Sequence, residues 1–396
     1  MSDMELQYLK IGDLCNVSSS KRVFARQYVD EGIPFYRQKE IIDKKNGNPL
    51  EEPIYISESV YNEFKDKSGV PESGDLLITA VGATLGIPYV VGNEKFYFKD
   101  GNLMWLSDFK EELNSTFLYY WIDSTFGTQT LWNRTIGSAQ PALTIDSLKK
   151  LSIPIPSRKI QDKIGSTLKT YDEMLENNNK RIRLLEQMAE NLYKECFVRF
   201  RFLGYEDVEF DGTLPIGWQY QPISESMDFF DSQRVPLSSI QRDGMKKIYP
   251  YYGAAKLMDY VDDYLFDGEY LLLGEDGTVV TTDGFPILQL VNDKFWVNNH
   301  AHVIRGKGNI STRFLYLTFL RFPITGAVTG SAQPKISKGR LEKLKILVPD
   351  AITMEYFNNL INPMFDEINI LKKQVIRITK QRDMLLPRLM SGKLEV

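Results

Sequence analysis

Two segments of the chain, residues 137–156 and 330–349, are copies of one sequence. They are identical at 10 of 20 positions, including a Gly-Ser-Ala-Gln-Pro run at Gly137–Pro141 and again at Gly330–Pro334. The copies are 193 residues apart (330 − 137), which is about half of the 396-residue chain. A duplication on this scale predicts two similar bodies related by an internal pseudo-twofold axis. A molecule of that kind is suited to grasping a target that itself has two parts.

The duplication continues into a helical pattern after each copy. Apolar side chains recur at alternating steps of four and three residues over 164–196, and again 193 residues later over 357–389. These steps are typical of a coiled-coil seam, although each helix could instead pack on its own domain. We predict that the two helices pair along a seam formed by Leu168, Leu175, Ile182, Leu185, Ile361, Ile368, Val375 and Ile378.

Prolines set the expected limits of the second helix. Asn362 and Pro363 have the order of an N-cap and a first helical residue, and Pro387 should end or kink the helix, which leaves a proline-free core at 364–386. The first helix has no such break and is expected to run from about 160 to 197. Asn178 lies on the seam, where it either fixes the register of the pair or marks a hydrated midpoint.

The linker between the repeats favours an antiparallel helix pair. Residues 203–216 join the first helix to the second globular part. In a parallel pair they would have to run back along the whole coil, close to a maximum reach of roughly 45 Å for about 14 residues. An antiparallel pair needs only a turn, and it would put the two globular parts at opposite ends of a rod.

The sequences of the two globular parts predict mainly short strands and loops. Segments 75–79 and 269–273 are apolar runs typical of buried strands, and each follows a glycine. Segment 96–98 matches 295–297, and segment 117–120 matches 314–317, with offsets that drift between copies. We therefore predict an α+β fold: two similar mixed α/β domains, each followed by a long helix, with the two helices forming an antiparallel coiled coil. The predicted boundaries are 1–157, 158–203, 204–350 (linker and second domain) and 351–396 (second helix and tail).

Composition narrows the class of protein. A hydrophobic content of 43% and a charged content of 25% are ordinary for a globular protein. The two cysteines are far apart, no apolar run approaches 18 residues, and the first residues do not resemble a signal peptide, so we expect a cytoplasmic protein away from membranes. The net charge of −4 argues against non-specific coating of nucleic acid but allows local basic surfaces.

The sequence lacks the common catalytic motifs. We find no phosphate-binding loop, no dinucleotide fingerprint, no zinc-protease motif and no amino-methyltransferase motif. The only histidines, His300 and His302, lie two residues apart, so they could hold a metal, form part of a polar recognition loop, or have a structural role. Residues 274–278 could be a tight turn or a ligand-facing loop. We expect no catalytic residue and no metal ligand.

Polar and aromatic residues that could contact nucleic acid occur in both halves. Arginine, lysine, asparagine and glutamine side chains can hold phosphates or read base edges, although a solvated surface is the commoner explanation of any one cluster. The candidates are Arg22, Arg26, Tyr36, Arg37, Gln38, Thr84, Asn133, Arg134, Gln233, Arg234, Lys246, Tyr252, Glu275, Asp276, Asn299 and His300. A separate repeated motif marks the junction of each domain with its helix: Gly137, Gln140, Pro141, Gly330, Gln333 and Pro334.

Further short motifs accompany the twice-repeated Gly-Ser-Ala-Gln-Pro: Phe210-Asp-Gly, Leu214-Pro-Ile-Gly-Trp218, Tyr252-Gly-Ala-Ala, Asp267-Gly-Glu-Tyr-Leu-Leu-Leu-Gly-Glu-Asp-Gly277, Asn299-His-Ala-His302 and Leu385-Leu-Pro-Arg-Leu-Met-Ser-Gly392. With these motifs, the sequence resembles the DNA-specificity subunits of type I restriction–modification systems over nearly the whole chain. The first domain lacks the Leu-Pro-x-Gly-Trp opening of the second.

This resemblance implies a non-catalytic reader of double-stranded DNA. Each domain would recognise one half of a bipartite target, and the helices would set the gap and dock two methyltransferase subunits. Two motor-nuclease subunits would join them where restriction accompanies methylation. S-adenosylmethionine, ATP and Mg²⁺ would belong to those partners, and this chain would need no cofactor. The alternative from another class is a two-domain scaffold that binds proteins or peptides without recognising DNA.

Overall fold

The computed structural model describes residues 6–137, 141–277, 279–330 and 334–391. The chain divides into two units, one of residues 1–177 with 375–396 and the other of residues 178–374. Each unit therefore contains one globular part and one segment of each long helix. Among the described helices, we find none whose length and apolar character would suit a membrane span.

The first unit mixes short strands with short helices and one long helix, which continues into the second unit. In chain order its elements are β1 (Gln7–Lys10), α1 (Ile11–Leu14), β2 (Asn16–Ser18), β3 (Tyr28–Val29), β4 (Ile33–Tyr36), α2 (Gln38–Lys45), β5 (Ile54–Ile56), α3 (Glu58–Ser68), β6 (Leu76–Thr79), β7 (Pro88–Val90), β8 (Tyr97–Phe98), β9 (Leu103–Ser107), α4 (Ser115–Asp123), α5 (Thr125–Trp132), α6 (Ile145–Lys149), β10 (Ser152–Ile155) and α7 (Arg158–Tyr193).

The second unit has a related order of elements with longer central strands, and its last helix continues into the first unit. Its elements are β11 (Phe210–Asp211), β12 (Leu214–Pro215), β13 (Gln219–Pro222), α8 (Ile223–Ser226), β14 (Met227–Phe229), α9 (Ser239–Asp243), β15 (Tyr249–Tyr252), β16 (Leu257–Val261), β17 (Phe266–Gly274), β18 (Leu288–Val297), β19 (Ala301–Gly306), α10 (Thr312–Phe319), β20 (Val328–Thr329), β21 (Lys335–Ile336), α11 (Lys338–Leu341), β22 (Lys345–Val348) and α12 (Ala351–Met390).

Both units are built on the same central strand pairing. β6 lies between β7 and β9 in a sheet of order β2-β9-β6-β7, and β17 lies between β18 and β19 in a sheet of order β14-β19-β17-β18-β15-β16. The parallel pair β4·β8 of the first unit corresponds to β15·β18 of the second. The two apolar runs predicted as buried strands are these central strands β6 and β17. The predicted mixed α/β fold is therefore confirmed.

The matched segments 117–120 and 314–317 lie on equivalent helices, α4 and α10. The Asn114 side chain caps α4 by accepting from the backbone N–H of Phe117 at 3.0 Å, and Ser311 caps α10 by accepting from Phe314 at 3.0 Å. A side-chain oxygen at the N-cap satisfies one of the unpaired N–H groups of the first turn. Both phenylalanines are buried, so each helix is capped at its start and held by its apolar face.

The long helices run antiparallel, as the linker length predicted. In the second unit, the Asn178 amide of α7 donates to Gln374 Oε1 of α12 at 3.2 Å, whereas the Tyr193 ring packs on Phe357 with ring centroids 6.2 Å apart. Rising residue numbers on one helix thus meet falling numbers on the other. In the first unit, Arg382 of α12 pairs with Asp172 of α7 at 2.8 Å.

The predicted seam positions face the interior of the helix pair to different degrees. Leu168, Leu175, Ile182, Ile361 and Ile368 are buried, whereas the remaining three are half-buried: Leu185, Val375 and Ile378. Asn178 is itself buried and is bonded directly to Gln374. A direct polar pair in an apolar seam favours the register-fixing role over a hydrated midpoint.

The interpretation of Asn362 and Pro363 as the start of the second helix is wrong. α12 begins at Ala351, and Asp350 accepts hydrogen bonds from the backbone N–H groups of Ile352 and Thr353 at 2.9 and 3.0 Å. Pro363 lies inside the helix, where the missing N–H and the ring clash together cost about 3 kcal/mol.

Contacts outside the helix offset that cost. The buried Arg313 donates to the Asn362 carbonyl at 2.7 Å, beside the proline, and pairs with Asp366 at 2.6 Å and Glu269 at 2.9 Å. Pro387 does not end the helix either, since α12 continues to Met390. Its last turn is held because Leu389 and Met390 are buried in the core of the first unit.

The Leu-Pro-x-Gly-Trp motif that opens the second domain has a structural explanation. The indole N–H of Trp218 donates to Asp350 Oδ2 at 3.1 Å, which is the same carboxylate that caps α12. The Trp218 ring packs on Phe202, just after the first helix, with centroids 4.8 Å apart. The motif thus ties the entry of the second domain to the start of its helix.

Candidate nucleic-acid interface

In the first unit, Pro141 at the end of the repeated motif and Leu143 just after it bond to the loop that follows the central strand β6. The backbone N–H of Gly82 donates to the Pro141 carbonyl at 2.9 Å, and the N–H of Leu143 donates to the Ala80 carbonyl at 2.8 Å. These two bonds join the motif to the sheet immediately beyond the strand end.

The second unit contains the same two bonds after β17. Gly277 donates to the Pro334 carbonyl at 3.2 Å, and Ile336 donates to the Glu275 carbonyl at 2.7 Å. We call this region the junction edge: residues 80–84, 102 and 141–143 in the first unit, and residues 275–277, 300 and 334–336 in the second. The junction edge is therefore a repeated backbone structure, like the sequence motif that helps to form it.

Glycine is required at four places around the junction edge. Gly82 and Gly277 have φ of 74° and 86°, and the motif glycines Gly137 and Gly330 have φ of 86° and 80°. Positive φ strains residues that carry a Cβ, which explains why glycine precedes each motif and follows each central strand. The motif glutamines Gln140 and Gln333 lie outside the described residues.

A third backbone hydrogen bond in each unit connects the junction edge to the residue just before the neighbouring strand, β9 in the first unit and β19 in the second. Ala80 donates to the Asn102 carbonyl at 2.8 Å, and Glu275 donates to the His300 carbonyl at 2.8 Å. Asn102 and His300 therefore occupy equivalent positions. Asn102 was not among the sequence candidates, because the offset of 199 between 96–98 and 295–297 pairs it with Ala301 and not with His300.

The structure brings Gln38 and Thr84 together at the edge of the first unit. The Gln38 amide nitrogen donates to the Val81 carbonyl at 3.0 Å and to Thr84 Oγ1 at 2.6 Å. Both residues line an open cleft of about 450 Å³ together with Lys39 and Asn102. Among the described residues, Gln38 Oε1 has no hydrogen-bond partner.

Two neighbouring candidates have structural contacts instead. Tyr36 is buried with 4% of its surface exposed, and its hydroxyl donates to Glu94 at 3.2 Å. Burial and the adjacent Glu94 carboxylate raise the pKa of Tyr36. Arg37 precedes α2 and pairs with Glu40, whose carboxylate accepts from the Arg37 backbone N–H at 2.8 Å. Because its ring is buried and its hydroxyl is bonded to Glu94, Tyr36 has a structural role.

The other first-unit candidates are exposed but are not part of the junction edge. Arg22 pairs with Asp100 at 3.2 Å, and the Arg26 guanidinium lies 5.4 Å from the centre of the Phe24 ring. Asn133 and Arg134 follow α5 and precede the repeated motif, and both are exposed.

In the second unit, Arg234 belongs to a half-buried ionic cluster that extends from the junction edge. Only 12% of its side chain is exposed; it pairs with Glu275 at 2.6 Å and donates to the Ala301 carbonyl at 2.7 Å. Lys335, which follows the motif proline, pairs with the other Glu275 oxygen at 3.1 Å. Arg234 and Glu275 therefore hold the loop after β17 in place, which sequence reasoning did not anticipate.

His302 is the buried centre of this cluster. Its Nδ1 contacts Asp231 Oδ2 at 2.7 Å and its Nε2 contacts the Ile336 carbonyl at 3.1 Å. Both partners are oxygen atoms that can accept a hydrogen bond from the ring. The contact to Ile336 ties the strand after the motif to β19, so His302 has a structural role.

The cluster lowers the pKa of two carboxyl groups. Burial alone would raise the pKa of Asp231, but the hydrogen bond and the charge of His302 outweigh it, and the net shift is downward. For Glu275 the same burial effect is outweighed by Arg234, His302 and Lys335, so its pKa is also lowered. Both groups are therefore held as carboxylates.

The ionic cluster does not fit a metal site. Ligand atoms of Asp231, Glu275 and His302 lie within 4.8 Å of one another. However, both ring nitrogens of His302 are already bonded, and Arg234 and Lys335 bring two positive charges to the same carboxylates. A divalent cation would have to displace these partners. The geometry supports the structural alternative for this histidine.

His300, by contrast, is exposed at the turn between β18 and β19. About 49% of its side chain is exposed, and its Nδ1 is hydrogen-bonded to Asp276 Oδ1 of the adjacent loop. Its neighbour Asn299 is also exposed. His300 and the half-buried Asp276 thus belong to the junction edge, and the exposed Asn299 lies next to it in the chain.

The remaining second-unit candidates lie elsewhere. Gln233 and Lys246 are exposed, and Tyr252 is half-buried against Phe295 with ring centroids 5.9 Å apart. Burial raises the pKa of Tyr252, so its hydroxyl stays protonated near neutral pH.

Relatives of the chain are found among specificity subunits of restriction enzymes. A specificity subunit named MjaIX from Methanocaldococcus jannaschii is 28% identical over 307 residues, which cover 72% of this chain and 71% of the relative. The EcoprrI specificity subunit from Escherichia coli is 22% identical over 400 residues, covering 96% and 92%. Specificity subunits carry no enzyme activity of their own.

A solved structure and a family model agree with these relatives. The crystal structure of a type I restriction–modification S subunit from M. genitalium has a TM-score of 0.69 at 16% identity and covers 98% of this chain and 97% of that chain, which shows a common fold. The family model described as the type I restriction modification DNA specificity domain matches residues 3–187 and 215–373. Because the two matches together span most of the sequence, the chain belongs to the type I restriction–modification DNA specificity family.

Proposed function

We propose that this protein gives a type I restriction–modification complex its DNA target, with each globular unit reading one half of a bipartite site. One observation carries the proposal: the two junction edges share three backbone hydrogen bonds, whereas the side chains on them differ. The first edge presents Gln38, Thr84 and Asn102, and the second presents Asp276 and His300. The same backbone structure with different polar side chains is suited to contacting two DNA half-sites of different sequence.

The long helices are proposed to set the gap between the half-sites and to dock two methyltransferase subunits. Two copies of one seam and of one motif are suited to binding two copies of one partner. The helices also keep several large apolar side chains exposed, which is typical of an interaction surface: Met174, Leu184, Met188, Ile370, Ile376 and Met384. Where the system restricts DNA, motor-nuclease subunits complete the assembly.

In this proposal the chemistry belongs to the partners. S-adenosylmethionine would be bound by the methyltransferase subunits, and ATP and Mg²⁺ by the motor-nuclease subunits. The present chain contributes target recognition without a cofactor, in the cytoplasm where the DNA is.

Methylation mapping tests the proposal. DNA from cells with and without this gene is sequenced for methylated bases. We expect one split motif, with two specified halves and an unspecified spacer, to be methylated only when the gene is present. A continuous motif, or a methylation pattern that does not depend on the gene, would contradict bipartite reading by this chain.

A protein-binding scaffold is the second candidate, and the net charge of −4 is the observation in its favour. The salt dependence of duplex binding separates the two functions, because a DNA reader that neutralises phosphates loses affinity steeply as salt increases. We expect such a dependence for the assembled complex. Association with duplex DNA that is equally weak at all salt concentrations would favour the scaffold.

A further inference from the structure

We propose that Asn102 and His300 are equivalent specificity-determining residues, each contacting one base edge in its own half-site. This inference rests on the proposed function and adds the residues and base groups involved. It begins from strand register. Thr79 of β6 pairs with Leu103, and Gly274 of β17 pairs with Ala301, so the residue before each neighbouring strand falls at the same place in both units.

Solvent exposure distinguishes residues that could contact DNA from residues with a structural role at these equivalent backbone positions. The next equivalent pair along the strands is also different in the two units, Met104 in one and His302 in the other, but both are buried, at 5% and 2% exposure. Asn102 is half-buried in the open cleft, and His300 is exposed. Asn102 and His300 share a backbone position, differ in chemistry and reach the surface. They are therefore placed to give the two units different base preferences.

The amide of Asn102 suits adenine. Within the described residues its side chain has no hydrogen-bond partner, since only its backbone carbonyl is bonded, to Ala80. A free amide offers one acceptor and two donors, which match the N6 amino group and N7 of adenine in the major groove. Gln38 and Thr84 bond to each other beside it and hold the cleft wall in place.

His300 presents one defined ring nitrogen. The Asp276 carboxylate can only accept, so Nδ1 carries the hydrogen of this contact; in the neutral form of the ring the lone pair is then on Nε2. That nitrogen can accept from an exocyclic amino group, which in the major groove means N6 of adenine or N4 of cytosine. Asp276 is a positioning residue, because it acts on the base only through the orientation of His300.

The test uses the full chain assembled with its methyltransferase subunits and a library of randomised duplexes. Methylated products are sequenced, and base frequencies are compared at every position of both half-sites for the wild-type protein and for Asn102→Ala and His300→Ala. We expect Asn102→Ala to lower discrimination roughly 5- to 150-fold at one position of one half-site. His300→Ala should relax one position of the other half-site by a smaller factor, since only one hydrogen bond is lost.

Further variants control for structural effects. Asn62→Ala removes an exposed asparagine of α3 that does not line the cleft, and it should change no position. His300→Asn copies the first-unit residue into the second edge and should move that position towards adenine, while Asp276→Asn should weaken the preference at the same position as His300→Ala. If an alanine variant does not fold, Asn102→Asp keeps the size of the side chain, His300→Asn keeps a polar side chain, and both answer the same question.

Unchanged base frequencies in Asn102 and His300 variants that still methylate would overturn the inference and leave the proposed function intact. Relaxation in both half-sites, or in the spacer, would overturn it as well. A wild-type complex that methylates without a split motif would instead refute the proposed function itself.

Discussion

At the scale of single residues, burial divides candidates that look alike in the sequence. Arg234 and His300 were both selected because their side chains can contact DNA. Arg234 is 12% exposed and is committed to Glu275, whereas 49% of the His300 side chain is exposed. Residue type alone carries no information on burial, so the sequence could not separate a loop-holding arginine from an exposed histidine. The same limit hid Asn102, which is isolated in the sequence but equivalent to His300 in space.

Removing the Glu275 charge tests the structural role of the ionic cluster. Glu275→Gln leaves the half-buried Arg234 with only its longer contact to the Asp231 carboxylate, at 3.8 Å, and loss of one partner of such a pair lowers the free energy of unfolding by roughly 3 kcal/mol. Asp276→Asn is the matched control, because Asp276 pairs with the exposed His300 and should cost less than about 1 kcal/mol. Urea unfolding measures both; equal losses would show that the cluster does not hold the loop.

The lowered pKa values of Asp231 and Glu275 predict a loss of stability in acid. A carboxyl group whose pKa is lower in the folded state stabilises the fold above its unfolded value of about 4, and this stabilisation disappears as pH falls through the folded value. The melting temperature should therefore fall between about pH 5 and pH 3. In the Asp231→Asn variant the melting temperature should depend less on pH. If it falls as steeply in acid as in the wild-type protein, the lowered pKa of Asp231 does not contribute to stability.

At the scale of elements, periodicity predicted the helix pair well, and proline reasoning predicted its ends poorly. The alternating four- and three-residue steps identified the seam because they directly record which face is buried. The boundary at Pro363 was wrong because the cost of a helical proline is a local property, whereas the Arg313 contacts that offset it come from another element. α12 consequently has 40 residues instead of the 23 of its proline-free core at 364–386.

Two adjacent residues on α12 test the seam. Leu371 is fully buried, and Leu371→Ala should lower the free energy of unfolding by about 2–5 kcal/mol through lost burial and a cavity. Ile370, with 51% of its surface exposed, is the matched control, and Ile370→Ala should change stability by about 0.5 kcal/mol or less. Chemical denaturation of both variants measures the difference. Similar losses would mean that the helices do not pair along the assigned face.

At the scale of the whole molecule, the duplication in the sequence predicted the duplication in structure. The repeated motif and the matched strand runs correspond to equivalent strands and to equivalent backbone bonds in each unit. The side chains that would distinguish the two targets lie where the copies diverge, so a comparison of the copies alone could not assign them a role. In the proposed function, the target bases depend on those side chains.

Lengthening both helices tests whether they set the gap. One heptad inserted near Asn178 and one near Leu371 keep the seam in phase and add roughly 10 Å. The methylated motif should keep both halves and gain about 1–3 base pairs of spacer, with bending of the DNA absorbing the rest. Methylation mapping gives the spacer directly. A folded, lengthened protein that still methylates the original motif would show that the helices do not measure the distance.

The most direct measurement for the central claim is a methylation map after exchange of one domain. Residues 1–136 are replaced by the equivalent part of a related specificity subunit, with the repeated motif and both helices left unchanged. If each globular unit reads one half-site, the methylated motif acquires one new half and keeps the other half and the spacer. A folded, active exchange that changes both halves, or neither, would contradict reading of the two halves by separate units.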